Sequence, residues 1–306
     1  MVPYACQFIL LLTFFVHSLA NQHLLKAAAT SPPQPIDVWI PSFKNVAWTM
    51  FNVKNLITLA KNPNRLAIRV LCMTPGEKSC KKLQVLFDTT FHAVKINVHN
   101  LSTLCTGVGG SALPCVFSHV LNNTPKESTY TVLADTDAIV VKHHWDSFIR
   151  QTLGEYCLAG INPRTSLGAV EWNWLSFQSS ALRDSEKYTD QSIVNEAGNI
   201  KDFKDWGQWW EMKAQMHGCL KVKRFPYLSY LIKDKSPMVV SDGLDPPSAI
   251  VAHMFYLSRR RGENLKQLGE DKAVMTEEEE KLVFTLLRKG FFNPAMMSKL
   301  PLDIQR

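Results

Sequence analysis

Short apolar segments alternate with helical patterns along the first half of the chain, and this alternation constrains the fold more than any other feature. Strands are predicted at Ile36 to Ile40, Leu66 to Met73, Ala93 to Val98, Tyr130 to Asp135 and Tyr156 to Ile161. Helices are predicted between them at Asn45 to Lys61, Glu77 to Phe87, Gly109 to Leu121 (interrupted by Pro114) and Trp145 to Leu153. Such alternation builds a parallel sheet with right-handed crossovers, whose ligands bind at the carboxyl ends of the strands. We therefore predict an α/β fold with a mostly parallel central sheet flanked by helices.

Two aspartates end the fourth predicted strand. Asp135 and Asp137 interrupt a run rich in valine, leucine and isoleucine, the composition of a central parallel strand. An unpaired carboxylate in an apolar setting costs several kcal/mol. A divalent cation would offset that cost, because hard cations prefer carboxylate oxygens. The pattern therefore predicts a metal site at the strand end, and the alternative is an ordinary turn.

Composition and charge narrow the class of protein. The 306 residues are 46% hydrophobic and 20% charged, which is ordinary for a globular protein. The net charge of +7 favours anionic partners. The basic residues are dispersed, and the longest run is Arg259-Arg260-Arg261. A phosphate-bearing small molecule fits this charge as well as nucleic acid does, and because the basic residues are dispersed we do not expect a nucleic-acid partner.

The amino terminus has the pattern of an export signal. Phe8 to Val16 is apolar, and Ser18-Leu19-Ala20 supplies small residues of the kind that signal peptidase requires. No lysine or arginine precedes the apolar stretch, so an uncleaved anchor is the alternative. We predict residues 1–20 as a signal or short anchor, 21–35 as a stem and 36–306 as one catalytic domain, divided into halves at 161/162. A membrane is a partner only if the anchor is retained.

Export also determines how the cysteines are interpreted. Six cysteines follow Cys6, and an even number in an oxidising compartment indicates disulfides, with 15 ways to pair six cysteines. Short loops favour Cys72 with Cys80 and Cys105 with Cys115. Asn100-Leu101-Ser102 and Asn122-Asn123-Thr124 are glycosylation sequons. These features predict a protein of the Golgi or ER lumen, or a secreted one.

Three further segments, together with the Asp-x-Asp, resemble the GT-A glycosyltransferases. They are Asn173-Trp174-Leu175-Ser176-Phe177-Gln178, Thr189-Asp190-Gln191-Ser192-Ile193-Val194-Asn195 and Ala249-Ile250-Val251-Ala252-His253-Met254. The middle segment is similar to the Asp-Gln-x-x-x-Asn segment of glycogenin-like retaining members. The last segment resembles a late apolar strand that ends in a metal-binding histidine. The resemblance covers roughly residues 36 to 267 and implies a GT-A-like fold with a mixed second half.

The resemblance also implies roles for particular residues. Asp137 would ligate Mn²⁺ or Mg²⁺, Asp135 would contact the metal or the donor ribose, and His253 would supply a nitrogen ligand. Asp190 would act on the reacting face, and Gln191 would bind sugar hydroxyls. The alternatives are a buried core histidine at His253 and, at Asp190, the cap of a helix that starts at Gln191.

Several aromatic and acidic residues of the second half are secondary candidates. Trp174 is expected to be buried. Trp209 and Trp210 are adjacent, so we expect that they do not both face one core and that one lines an acceptor cleft. Glu171 is a second candidate base near the presumed acceptor strand.

The sequence thus predicts a secretory glycosyltransferase that moves a sugar from a nucleotide-diphosphate sugar to a hydroxyl of a glycan, protein or small molecule. Retention of anomeric configuration is preferred because of Asp190-Gln191. One rival is a phosphohydrolase of the haloacid dehalogenase type, whose Asp-x-Asp also ends a strand. In that class Thr or Val stands two residues after the second aspartate, whereas this chain has Ile139. The other rival is a non-catalytic protein with a glycosyltransferase fold.

Overall fold

A computed structural model describes residues 35–42, 46–73, 77–105, 109–125, 128–162, 169–182, 187–203, 205–229, 238–241 and 249–253. Their helices are α1 (Val46–Leu59), α2 (Glu77–Thr90), α3 (Leu113–Asn123), α4 (Trp145–Glu155), α5 (Asp190–Gly198) and α6 (Trp206–Met216). Their strands are β1 (Ile36–Ser42), β2 (Leu66–Cys72), β3 (Lys95–Asn100), β4 (Tyr130–Ala134), β5 (Ala138–Val140), β6 (Leu158–Ile161), β7 (Glu171–Gln178), β8 (Val222–Phe225), β9 (Tyr227–Ser229), β10 (Met238–Ser241) and β11 (Ala249–His253).

The larger sheet has seven strands in the order β3-β2-β1-β4-β7-β6-β8. Strands β3, β2, β1 and β4 are mutually parallel, β6 is parallel to β8, and β7 pairs antiparallel with both β4 and β6. The predicted α/β class with a mostly parallel sheet is therefore confirmed. Because β1 to β4 run the same way, their carboxyl ends lie at one edge of the sheet.

The smaller sheet has four strands in the order β5-β11-β10-β9, and all of its pairs are antiparallel. Strand β5 follows β4 after three residues, Asp135 to Asp137. The aspartate pair therefore joins the two sheets.

Helices cover both faces of the larger sheet because the strand side chains alternate between them. Val38 and Ile40 pack with α1, α2 and α4, whereas the intervening Trp39 packs with α3, α5 and α6. All three side chains are fully buried. The two apolar layers hold the sheet rigidly between them.

The adjacent tryptophans of α6 correct one prediction. Trp174 is buried as expected, but Trp209 and Trp210 are both fully buried in the same cluster. The Trp209 ring stacks on Phe117 at 6.0 Å between centroids, and Trp210 meets that same ring edge-on at 5.1 Å. Two indoles about 100° apart on a helix can share one core when the helix is sandwiched between its neighbours. Neither is available to line a cleft.

Three disulfides lie within the described residues. Cys72–Cys80 and Cys105–Cys115 confirm the two predicted pairs, and Cys157–Cys219 is the third. The last bond spans 62 residues and ties the start of β6 to the end of α6. Among the helices that the structure describes, none has the length and apolar character needed to cross a bilayer.

Several element boundaries differ from the predicted ones. The third strand runs from Lys95 to Asn100, two residues later than expected. Pro114 does not interrupt its helix, because it occupies the first turn of α3 after a short 3₁₀ segment at Gly109–Ala112. The first turn tolerates proline because its N–H groups have no partner within the helix.

Candidate functional site

The aspartate pair forms a tight turn at the carboxyl edge of the larger sheet. The backbone N–H of Asp135 donates to the carbonyl of Asn173 on β7 at 2.8 Å, so Asp135 still belongs to the sheet. Its side chain accepts from the N–H of Thr136 at 2.7 Å, and its carbonyl accepts from the N–H of Ala138 at 3.1 Å. Asp137 is buried, with 5% of its surface exposed.

Hydrogen bonds from the turn to β1 and from α1 to the turn hold its backbone in place. The Thr136 hydroxyl donates to the carbonyl of Pro41 on β1 at 2.5 Å. The Asn52 side chain on α1 donates to the carbonyls of Asp135 and Thr136 at 3.1 and 3.3 Å. The two carboxylates are therefore carried by a backbone that is anchored to a strand and to a helix, which is the preorganisation that a ligand site needs.

Strand β11 brings the late histidine to this turn. His253 on β11 pairs with Ala138 on β5, and Ala138 is the residue that follows Asp137. Residues opposite each other in an antiparallel pair have Cα atoms about 4.5–5.5 Å apart. The backbone of His253 thus lies beside the aspartate pair, whereas its side chain lies outside the described residues.

A bulge in β7 opens the larger sheet next to the aspartate pair. Gly160 pairs with Leu175 but Ile161 pairs with Glu171, so residues 172–174 have no partner on β6. Asp205, the N-cap of α6, approaches this gap and accepts from the backbone N–H of Trp172. Bulges of this kind occur often beside active sites.

Asp205 is a carboxylate that the sequence analysis did not single out. Its side chain also accepts from the N–H of Gly207 at 2.7 Å. Burial raises the pKa of Asp205 in spite of the hydrogen bonds from Gly207 and Trp172, which act in the opposite direction. Trp172 and Asn173 are consecutive residues that bind Asp205 and Asp135 on opposite sides of β7.

The start of α6 is locked against the chain just before β7. A Cβ atom on Gly207 would lie 1.5 Å from the Val170 carbonyl oxygen, so only glycine fits there. One turn later, Glu211 accepts from the Val170 N–H at 2.8 Å and pairs with Arg224 of β8 at 2.8 Å. This contact fixes the position of Asp205. Glu211 is thus the ion-pair partner of Arg224. Of the two other basic residues near β8, Lys221 is exposed and the Lys223 ammonium lies over the Tyr156 ring.

We expect Gly207→Ala to lower the free energy of unfolding by about 1–3 kcal/mol, because the new methyl group must displace the backbone of Val170. Gly154→Ala in α4 is the matched control, because nothing lies within 4 Å of its added Cβ. That variant should be stabilised by up to about 1 kcal/mol, the helix propensity difference between alanine and glycine. Urea unfolding of both variants tests this, and equal stabilities would contradict the close contact.

The structure places the other predicted catalytic segment on α5. Asp190 is exposed and accepts from the Ser118 hydroxyl at 2.6 Å, in the middle of α3. Gln191 is exposed and donates to Asn195 on its own helix at 2.8 Å. The cap of α5 is Thr189, and the helix starts at Asp190, so the predicted alternative of an Asp190 cap is wrong. The catalytic role of Asp190 and Gln191 stays a prediction.

No protein-family model and no curated protein sequence matches the chain. Its fold resembles glycosyltransferases of known structure. The mannosyltransferase PcManGT from Pyrobaculum calidifontis, in complex with GDP-Man and Mn²⁺, is 13% identical with a TM-score of 0.44, over 72% of this chain and 66% of that one. Mouse xyloside xylosyltransferase 1 is 13% identical with a TM-score of 0.42, over 62% and 84%. TarS from S. aureus is 12% identical with a TM-score of 0.44, over 63% and 35%.

The chain therefore spans about a third of TarS and just under two thirds of PcManGT. With identities near 12% and TM-scores below 0.5, its activity has to be inferred from its own residues.

The donor set at the aspartate pair suits a hard or borderline divalent cation. Mn²⁺ binds both carboxylate oxygens and imidazole nitrogens, whereas Mg²⁺ prefers the carboxylate oxygens. No group of three or more His, Cys, Asp or Glu side chains that could hold a metal ion is found within the described residues, and these do not include the side chain of His253. Asp135 and Asp137 would hold the ion, and His253 is placed by its backbone to contribute.

A second polar cluster lies between β3 and α3. The Nδ1 atom of His99 and the Nε2 atom of His119 are 3.2 Å apart, and both rings contact Trp39. Burial, together with the charges of His119 and Arg69, lowers the pKa of His99 to about 4. Burial also lowers the pKa of His119.

We expect this histidine pair to make stability depend on pH. The unfolded chain takes up a proton at His99 near pH 6.5, whereas the folded chain takes it up only near pH 4. The free energy of unfolding should therefore fall as pH drops from about 6.5 towards about 4. Urea titrations across this range should show a smaller fall for His99→Gln than for the natural chain. Identical pH profiles for the two proteins would contradict the expectation.

Proposed function

We propose that the protein is a metal-dependent glycosyltransferase that transfers a sugar from a nucleotide-diphosphate donor to an acceptor hydroxyl. One observation carries the proposal: a buried strand ends in two carboxylates, and the next strand runs beside His253. Carboxylate oxygens at the carboxyl edge of a sheet are suitable ligands for a hard divalent cation. A diphosphate is a ligand that such a cation can bridge.

Asp135 and Asp137 are proposed to bind the donor and its cation. Asp137 holds the cation directly, and Asp135 contacts the donor ribose or supports the cation. A bound Mn²⁺ or Mg²⁺ supplies Lewis-acid stabilisation of the leaving diphosphate. The anchored turn of Asp135 to Asp137 keeps the carboxylate oxygens in place, so little reorganisation is needed when the donor binds.

Asp205 is our candidate for the general base. Its pKa is raised, and a carboxylate with a pKa nearer to the working pH removes a proton from a hydroxyl more effectively. Direct attack by an acceptor hydroxyl that Asp205 deprotonates would invert the anomeric configuration. The Asp190-Gln191 segment predicts retention instead, so the anomer of the product distinguishes the two assignments.

The secretory pathway is the proposed site of action, with residues 1–20 as signal or anchor, 21–35 as stem and 36–306 as the catalytic domain. Three disulfides are consistent with folding in an oxidising lumen. The acceptor is proposed to be a glycan, a protein or a small molecule that carries a hydroxyl group.

Calorimetry with a panel of nucleotide-diphosphate sugars, with and without Mn²⁺, tests the proposal. We expect one donor to bind only in the presence of the ion, and to be hydrolysed slowly when no acceptor is added. Binding without hydrolysis or transfer would indicate a non-catalytic protein with this fold. Release of phosphate from a generic phosphoester, without donor binding, would indicate a phosphohydrolase.

A further inference from the structure

Asn100 occupies the last position of β3 and starts one of the two sequons. Asn100 is exposed, and β3 is one of the two outer strands of the larger sheet in the described part of the chain. The side-chain oxygen accepts from the N–H of Ser102 at 3.0 Å and from the hydroxyl of Ser102 at 2.7 Å. Both bonds use the oxygen, and within the described residues no hydrogen bond engages the Asn100 amide nitrogen.

Asn122 starts the other sequon and has a different environment. It lies in the last turn of α3, where its amide nitrogen donates to the carbonyl of Tyr188 at 2.7 Å and its oxygen accepts from the N–H of Tyr188 at 3.0 Å. The hydroxyl of Thr124 donates to the carbonyl of Val120 at 2.8 Å rather than to Asn122. Both polar side-chain atoms of Asn122 thus hold α3 against the segment before α5.

Attachment of a glycan would therefore have different effects at Asn122 and at Asn100. A glycan on the Asn122 nitrogen would place a sugar ring on an atom that lies 2.7 Å from a backbone carbonyl, and Tyr188 is itself buried against Trp209. A glycan on Asn100 would extend from an exposed strand end without breaking a described hydrogen bond. It would also cover a sheet edge, which is a surface prone to unwanted strand pairing.

The disulfides indicate that this region meets the compartment in which the modification occurs. Leu101, inside the sequon, donates to the carbonyl of Cys72, and Cys72 is bonded to Cys80. Cys105 follows three residues after Ser102 and is bonded to Cys115. Disulfides and N-linked glycans are both added in the oxidising lumen of the secretory pathway.

We propose that Asn100 carries an N-linked glycan and that Asn122 does not. In the reaction, the amide nitrogen of Asn100 forms a bond to the anomeric carbon of a lipid-diphosphate oligosaccharide. The bond between that carbon and the diphosphate oxygen breaks, the lipid diphosphate leaves, and the nitrogen loses one proton. The inference uses the two sequons and the disulfides alone, so it does not depend on the transferase activity.

The test expresses the full chain in a human cell line and treats the product with an amidase that hydrolyses the bond between an N-linked glycan and asparagine, which converts that asparagine to aspartate. The natural chain should shift in gel mobility by one glycan, and the shift should be absent in Asn100→Gln and present in Asn122→Gln. Ser102→Ala should also lose the shift, whereas Thr124→Ala should keep it. Peptide mass spectrometry after deglycosylation in heavy-oxygen water should mark residue 100 alone.

Three results would overturn the proposal: no enzyme-sensitive shift in the natural chain, a shift that disappears in Asn122→Gln, or two glycans per chain. Because Ser102→Ala keeps Asn100 and its backbone, it separates loss of the glycan from loss of folding. Thermal unfolding of the variants completes that comparison.

Discussion

Replacing Asp137 by alanine is expected to weaken manganese-dependent binding of the nucleotide-sugar donor by at least about 100-fold, since even residues behind a metal ligand contribute about 10–100-fold. The side chain is buried in the turn that follows β4, and it is our candidate for direct ligation of the cation. Calorimetry in Mn²⁺ and circular dichroism of the same sample measure binding and folding together.

The matched control for this variant is Asp88→Ala. Asp88 is an exposed carboxylate of α2 whose described hydrogen bond is to Gln84, so the variant removes the same charge at a distance from the site. It should bind donor as the natural chain does. Unchanged manganese-dependent binding in Asp137→Ala would remove the main support for the proposed function.

Replacing Asp205 by asparagine is expected to lower kcat by about 100- to 10,000-fold, the usual contribution of a general base. Asparagine keeps a side-chain oxygen that can accept from the Gly207 N–H, and it caps helices as well as aspartate does. The variant should therefore fold and bind donor normally. Steady-state kinetics with a saturating donor, together with thermal unfolding, would show a loss confined to turnover.

Two further variants give this experiment its contrast. Asp202→Asn removes a nearby exposed carboxylate at a left-handed position (φ 56°), which asparagine also adopts, and should leave turnover unchanged. Asp190→Asn tests the sequence-based alternative directly. A large loss of turnover in Asp190→Asn with little effect in Asp205→Asn would reverse the assignment, and a product that retains the anomeric configuration would support the same conclusion.

The sequence predicted the larger sheet well because its strands are marked by dense apolar runs. Strands β1, β2 and β4 begin where the pattern places them, and the aspartate pair lies at the predicted edge. Burial on both faces produces that signal without knowledge of the rest of the chain. The small sheet was harder, since β5 and β9 are three residues long and gain their partners from distant segments.

Asp205 was missed for a related reason. In the sequence, Asp205 and Gln208 form the pattern of a helix capping box, which explains both residues without any function. Only the bulge at residues 172–174 reveals that this cap faces the edge of the sheet, and the bulge depends on pairing between β6 and β7. The prediction for Trp209 and Trp210 was wrong for a similar reason. The elements packed around α6 determine how much of its surface is buried, and a local sequence pattern does not show them.

The two acids of the Asp-Thr-Asp turn belong to different parts of the molecule. The first is hydrogen-bonded into the seven-stranded layer, and the second leads directly into the four-stranded one. A cation ligated by both aspartates would link the two sheets. The distance between its two carboxylate ligands would then depend on how the sheets are oriented relative to each other. Binding of the cation and the stability of the pairing between β5 and β11 would then depend on each other.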